Sequence, residues 1–296
     1  APSATGVDQS VLTGKIIVST YVDDPIIVCD NEGLETWFHQ MLEDRFDVKF
    51  HSFLTPATPL EYCGARLTLT NDGCIKIDNK KFIEGMLEER GLQDCNPSKN
   101  PITKHIMKQL HENADKKLDA AASTVFRSGL GQIHWLASTT HPKLSTAHSM
   151  LARYTANPVE GCLEALKAMC RYTAGCMEDC LMANSTITEG LKVYSDSDWA
   201  GEYGVNGETA SRTGCLITYN GMSVGWCSTK QLCIATSSAD AESRALSTSI
   251  QRGLHTQYLA EELGLHLDKV LPVFVDANAA IGFARNNDGT SKMKHI

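Results

Sequence analysis

The chain has 296 residues, 42% hydrophobic and 21% charged, a balance that excludes a disordered protein and suits at least two folded domains. Its net charge of −8 argues against a surface built throughout to hold nucleic acid, because phosphate contacts need lysine and arginine, although a local basic groove is compatible with an acidic total. No run reaches the roughly 18 apolar residues of a membrane span, residues 1–10 lack the basic and apolar regions of a leader, and the eleven cysteines follow no framework; the expectation is a soluble intracellular protein with reduced thiols and no membrane partner.

Residues 15–29 read as strand, turn, strand, two apolar arms around the acidic tip Tyr21-Val22-Asp23-Asp24. Pro25, directly after the tip, lacks a ladder N–H and belongs at an edge or a strand start. Leu34, Trp37, Phe38, Met41, Leu42 and Phe46 recur at three- and four-residue spacing and predict a helix over 32–46. Strands follow at 62–70 and, after the Asn71-Asp72-Gly73 turn, at 74–77; Phe82, Ile83, Met86 and Leu87 mark a helix closed by Gly91. Residues 94–119, with two Asn-Pro pairs and many charges, read as a linker or exposed strap. Helices are predicted over 124–139 and 144–154, and a third opens at Asn157-Pro158 and runs to about Tyr172. From Leu191 the texture is β: strands at 191–196, 213–219 and 223–228, the last two joined by the hairpin pair Asn220-Gly221. A long helix over 239–263 is capped by Ser237 with Asp240 and stopped by Gly264, and a strand at 270–275 and a helix at 278–285 complete a β-β-β-α-β-α order.

Three acids stand out in this last region. Asp196 ends its first strand, Glu242 sits early in the long helix beside the stripe Ala241, Ala245, Ile250 and Leu254, and Asp276 ends the fourth strand. Singly, each has an ordinary reading: a polar strand exit, a first-turn glutamate favoured by the helix dipole, an N-cap acid. Jointly, if the first and fourth strands are parallel neighbours, the acids meet at the carboxyl ends. Carboxylates about 4 to 6 Å apart repel and raise one another's pKa unless a cation sits between them. Magnesium, or manganese, is the expected cofactor, and two such ions about 4 Å apart suit phosphodiester cleavage because they neutralise the attacking and leaving oxygens. Asp23 and Asp24 form a second acidic site in which one carboxylate can ligate metal; the alternative is a polar turn. Lys230 and Gln231, at a strand end, are candidates for touching a nucleic-acid backbone; the alternative is a solvated strand end.

These residues also carry a resemblance. Tyr21-Val22-Asp23-Asp24, the stretch from Tyr62-Cys63-Gly64 to Leu92, Phe126-Arg127-Ser128-Gly129-Leu130-Gly131, and Tyr194-Ser195-Asp196-Ser197-Asp198-Trp199-Ala200-Gly201 resemble the copia-type retrotransposon Pol polyprotein. So do Ser211-Arg212-Thr213-Gly214, Trp226-Cys227-Ser228-Thr229-Lys230-Gln231, Ser237-Ser238-Ala239-Asp240-Ala241-Glu242 and Lys294-His295-Ile296, in the family's order from Lys15 onward. The resemblance implies the C-terminal part of a reverse transcriptase followed by ribonuclease H. The fold class is then α/β: a C-terminally truncated ribonuclease H-like domain at 190–296, preceded by a partial reverse-transcriptase palm and thumb at 1–120 and a helical connection at 121–189.

The resemblance further implies that Asp196, Glu242 and Asp276 hold the metals that hydrolyse the RNA strand of an RNA/DNA hybrid, and that Asp23 and Asp24, beside Tyr21, are polymerase metal ligands. The implied partners are the hybrid, an RNA template and DNA primer, and the remainder of the polyprotein, in a cytoplasmic particle or the nucleus. Because the family's third polymerase aspartate precedes Lys15 and its final ribonuclease H aspartate follows Ile296, the expectation is no primer extension by this chain alone and weak hydrolysis. Pro25, Asp240 and Ser243 depart from the family's usual residues. A rival expectation is an inactive remnant that acts as a nucleic-acid or protein binding module.

Overall fold

The computed structural model describes residues 14–48, 52–201 and 209–285, so the Lys294-His295-Ile296 motif lies outside the described residues. The protein is mixed α/β and divides into two compact units, Ala1–Leu69 and Thr70–Ile296.

In the first unit, β1 (Ile16–Tyr21) and β2 (Asp24–Cys29) pair antiparallel with Tyr21 opposite Asp24. The turn is therefore Val22-Asp23, with Val22 at φ 56°, the left-handed backbone that two-residue hairpins require. Pro25 lies opposite Thr20, and in a two-stranded ribbon every strand is an edge that tolerates it. Helix α1 (Glu32–Glu43) starts on Asn31, whose side chain accepts from the Leu34 N–H at 3.0 Å. It ends three residues before Phe46, which is exposed. A second hairpin, β3 (Leu60–Tyr62) and β4 (Ala65–Leu69), turns through Cys63-Gly64, both at positive φ, and the Tyr62 hydroxyl donates to the Ser19 carbonyl.

The second unit begins with β5 (Ile75–Asp78), which pairs antiparallel with β6 (Leu181–Ala183), a three-residue strand that no periodicity announces. Between them run α2 (Lys80–Glu89), α3 (Lys104–Glu112), α4 (Ala120–Thr139), α5 (Ser145–Leu151) and α6 (Cys162–Gly175). Ile83, Met107, Leu110, Phe126, Ile133 and Met169 form one apolar core among them. Two expectations are corrected here. The stretch 94–119 is not all strap: α3, capped by Thr103, buries Met107 and Leu110. Its four-residue apolar turn was outweighed by the surrounding prolines and charges. Helix α6 starts at Cys162 after Gly161 at φ 95°, not at Asn157, because Leu118 donates to the Pro158 carbonyl and Glu160 to the Lys116 carbonyl, holding that backbone as a bridge.

A four-stranded sheet follows, in the order β10-β7-β8-β9. β7 (Leu191–Asp198), β8 (Arg212–Tyr219) and β9 (Met222–Lys230) form an antiparallel meander, closed at Asn220-Gly221 by two residues at φ 48° and 79°. Helix α7 (Ser238–Glu262) crosses over to β10 (Val273–Val275), which lies parallel to β7, and α8 (Asn278–Arg285) follows. β10 is shorter than the expected 270–275, and Val270 is exposed. The face of α7 turned to the sheet is Ala241, Ala245, Leu246, Ser249 and Gly253, whereas Leu254, placed on that face by periodicity, is exposed. Gly253 sets the approach: a Cβ there would lie 2.5 Å from Val193 Cγ2 and 3.0 Å from Leu271 Cδ2. The sheet is tied to the helices by Trp226 Nε1 donating to the Ala137 carbonyl at 2.6 Å and by Arg212 donating to Ser149 Oγ at 2.7 Å.

Candidate metal centre

Alternation along β7 buries Leu191, Val193 and Ser195 under α7 and turns Tyr194 and Asp196 outward. Because β10 runs parallel with Val275 opposite Ser195, the next residue, Asp276, leaves the sheet beside Asp196 at the same carboxyl end. Helix α7 starts on Ser237, whose hydroxyl accepts from the Asp240 N–H, and this start places Glu242 over that end. One carboxylate oxygen from each of Asp196, Glu242 and Asp276 lies within 4.8 Å of the other two. Asp196 and Asp276 are exposed and Glu242 is half-buried.

The electrostatics are those of an uncompensated cluster. Among the described residues no lysine or arginine pairs with any of the three acids. The nearby Arg244 is committed to Asp240, a buried acid: burial opposes that charge, but the hydrogen bonds from Arg244 and Thr236 outweigh it and hold Asp240 below the usual carboxylate range. Glu242 is pushed the other way. Burial raises its pKa most, the hydrogen bond from Ser197 opposes this, and the charges of Asp196 and Asp276 raise it further. Ser197 Oγ donates to Glu242 Oε1 at 2.9 Å, and the Ser197 N–H donates to Asp196 Oδ1 at 2.9 Å. Glu242 Oε2 is buried without a hydrogen-bond partner.

Such an orphan oxygen facing two other carboxylates fits a hard divalent cation. Magnesium binds oxygens at about 2.0–2.1 Å, so two ligands on one ion stand up to about 4.2 Å apart. A spread of 4.8 Å is within a small side-chain rotation of that limit, and is spanned readily by two ions about 4 Å apart. Beside the acids opens a cleft of about 740 Å³ lined by Tyr194, Phe274, Ile250 and Arg285. Tyr194 and Phe274, cross-strand partners, stack there with ring centroids 5.0 Å apart.

The remaining candidates are placed differently. Asp23, Asp24 and Tyr21 are exposed at the β1–β2 turn, and among the described residues no third acid joins the two aspartates. Lys230 is exposed at the end of β9. Gln231 is buried, and its amide nitrogen donates to Thr213 Oγ1 at 3.2 Å and to the Ala241 carbonyl at 3.0 Å, so this side chain joins β8 to α7 instead of reaching solvent. Ser197 was not singled out from the sequence; its only signal is that it shares the inward face of Ser195 one step beyond Asp196.

The fold and the cluster define a mixed α/β protein with a three-carboxylate site at the carboxyl end of a sheet. Over 284 residues, 95% of the chain, it is 28% identical to the retrovirus-related Pol polyprotein from transposon TNT 1-94 of Nicotiana tabacum, covering 21% of that protein. It is likewise 28% identical over 288 residues to the retrovirus-related Pol polyprotein from transposon RE1 of Arabidopsis thaliana, covering 18% of it. A further relative, secreted RxLR effector protein 161 of Plasmopara viticola, is 33% identical over 129 residues, 44% of the chain and 89% of that protein. No family model matches the chain, and no solved structure matches it. Along nearly its whole length the chain is similar to retrotransposon Pol polyproteins, and it spans about a fifth of the length of the Pol relatives it matches.

Proposed function

We propose that the chain is the region of a retroelement Pol polyprotein whose sheet, β7 to β10 with α7, is a ribonuclease H-like domain that hydrolyses the RNA strand of RNA/DNA hybrids. The observation that carries this reading is the convergence of Asp196, Glu242 and Asp276 around a buried, unpartnered Glu242 oxygen. The three-stranded meander, the crossover helix and the parallel fourth strand beside the first support it, since they deliver the acids from strand, helix and strand.

Asp196, Glu242 and Asp276 would hold magnesium or manganese, which when bound would neutralise charge on the scissile phosphate and make a water molecule more acidic. Ser197 fixes Glu242 Oε1 and leaves Oε2 free to ligate, while its N–H orients Asp196. The stacked Tyr194–Phe274 pair offers a flat apolar surface to the sugars of a bound strand, and the shape and 2′-OH of the RNA strand provide selection without base reading. Asp23 and Asp24 are proposed as two acids of a polymerase site completed by residues outside the described ones.

The test is cleavage of an end-labelled RNA strand in a hybrid with magnesium present. Asp196→Asn keeps the shape and removes a metal-facing charge, and should lower the rate about 100-fold or more. Equal rates in wild type and Asp196→Asn would place the chemistry elsewhere. The net charge of −8 and the inward Gln231 favour a second reading, a binding module without hydrolysis. It predicts no cleavage of the hybrid even with metal bound.

A further inference from the structure

A second cluster lies away from the carboxylates. On the antiparallel strands β8 and β9, Cys215 stands directly opposite Cys227. Directly opposed residues on antiparallel strands have Cα atoms about 4.5 or 5.5 Å apart, and both values fall within the 4.4–6.8 Å range of disulfide-linked cysteines. Both thiols are free. Cys215 is buried beneath α7, while Cys227 is half-buried and lines a cleft of about 510 Å³ between α4, α5, β9 and α7. Arg252 of α7 lines the same cleft, and among the described residues its guanidinium makes no hydrogen bond or salt bridge.

We infer that Cys227 and Cys215 form a thiol–disulfide exchange pair, in which Cys227 is the attacking thiol and Cys215 the resolving one, acting on small disulfides that enter this cleft. The division of roles follows from access, since only Cys227 faces the cleft. The environment of each sulfur agrees with it. A hydrogen bond from the Cys215 thiol lowers the Cys227 pKa well below the ordinary thiol range and Arg252 lowers it further, while the same bond and burial raise Cys215. The reaction balances. Cys227 thiolate attacks one sulfur of a glutathione-type disulfide, forming a mixed disulfide and releasing one glutathione thiolate. Cys215 then loses its proton to that thiolate and attacks the Cys227 sulfur, forming the Cys215–Cys227 bond and releasing the second glutathione. Two electrons pass from the protein thiols to the small disulfide.

The pair would put a covalent staple across β8–β9, one residue from Gly214, which lies opposite the metal-facing Asp196. This inference does not depend on hydrolytic activity. The test is incubation of the folded chain with glutathione disulfide, followed by peptide mass mapping without reduction. Wild type should yield the Cys215–Cys227 linked peptide. Cys215→Ala should instead accumulate glutathione on Cys227, with the far-ultraviolet dichroism of the wild type, and Cys227→Ala should leave Cys215 unmodified. Cys233, which is exposed, should take up glutathione in all three and serves as the internal control. Absence of the linked peptide in wild type while Cys233 is modified would overturn the inference, as would modification of Cys215 in Cys227→Ala.

Discussion

At the scale of single residues, Glu242 carries the most information. Its pKa is raised in the folded chain, so it binds its proton more tightly folded than unfolded. Its contribution to stability is present below the unfolded value of about 4.3 and is lost as pH rises through the higher folded value. Metal-free protein at neutral pH therefore bears a cost, reduced by the solvent that reaches this half-buried group, and Glu242→Gln should stabilise it by roughly a few tenths of a kcal/mol in urea unfolding. The same change should abolish any rise in melting temperature on adding magnesium. Destabilisation by Glu242→Gln without metal would mean that the carboxylate has a structural partner besides Ser197. The three acids were legible in the sequence because each ends or begins an element with a clear signal. Ser197 and the inward turn of Gln231 were not, because a side chain's direction at a strand end depends on the twist of neighbours far away in sequence.

At the scale of elements, the long helix and the hairpins followed local rules closely: Ser237 and Gly264 bracket α7, and Asn220-Gly221 closes β8–β9. Where expectation failed, a tertiary contact decided. The face of α7 turned to the sheet runs through Gly253, not Leu254, because only a residue without Cβ lets the helix approach Val193 and Leu271. Gly253→Ala should cost about 1–3 kcal/mol by overpacking, read as a lower urea midpoint with unchanged slope. Helix α3 makes the complementary case. Leu110 is fully buried in the helical core, so Leu110→Ala should cost about 2–5 kcal/mol, whereas a residue in an exposed strap would cost almost nothing.

At the scale of the whole molecule, the acidic total and the three-carboxylate cluster have a common consequence: charge repulsion at one end of the sheet, which the proposed divalent cation would relieve. The likeness to Pol polyproteins was legible because the motif residues keep their order along nearly the whole chain, while the division at Leu69/Thr70 was hidden because α2 and α3, inside the stretch 1–120, bury their apolar faces in the same core as α4 and α6. The expectation that this chain alone does not extend a primer is checked by template-dependent synthesis with the purified chain and magnesium, and robust synthesis would contradict it.

The central claim, that Asp196, Glu242 and Asp276 form a divalent-cation site, is tested most directly by titrating manganese into the chain and following the free ion by electron paramagnetic resonance. The account predicts saturable binding in the wild type, displaced by excess magnesium, that is lost or weakened at least about 10-fold in Asp196→Asn, for which one charged ligand out of three is removed. Binding of equal affinity in wild type and Asp196→Asn, or no binding in the folded wild type, would contradict it.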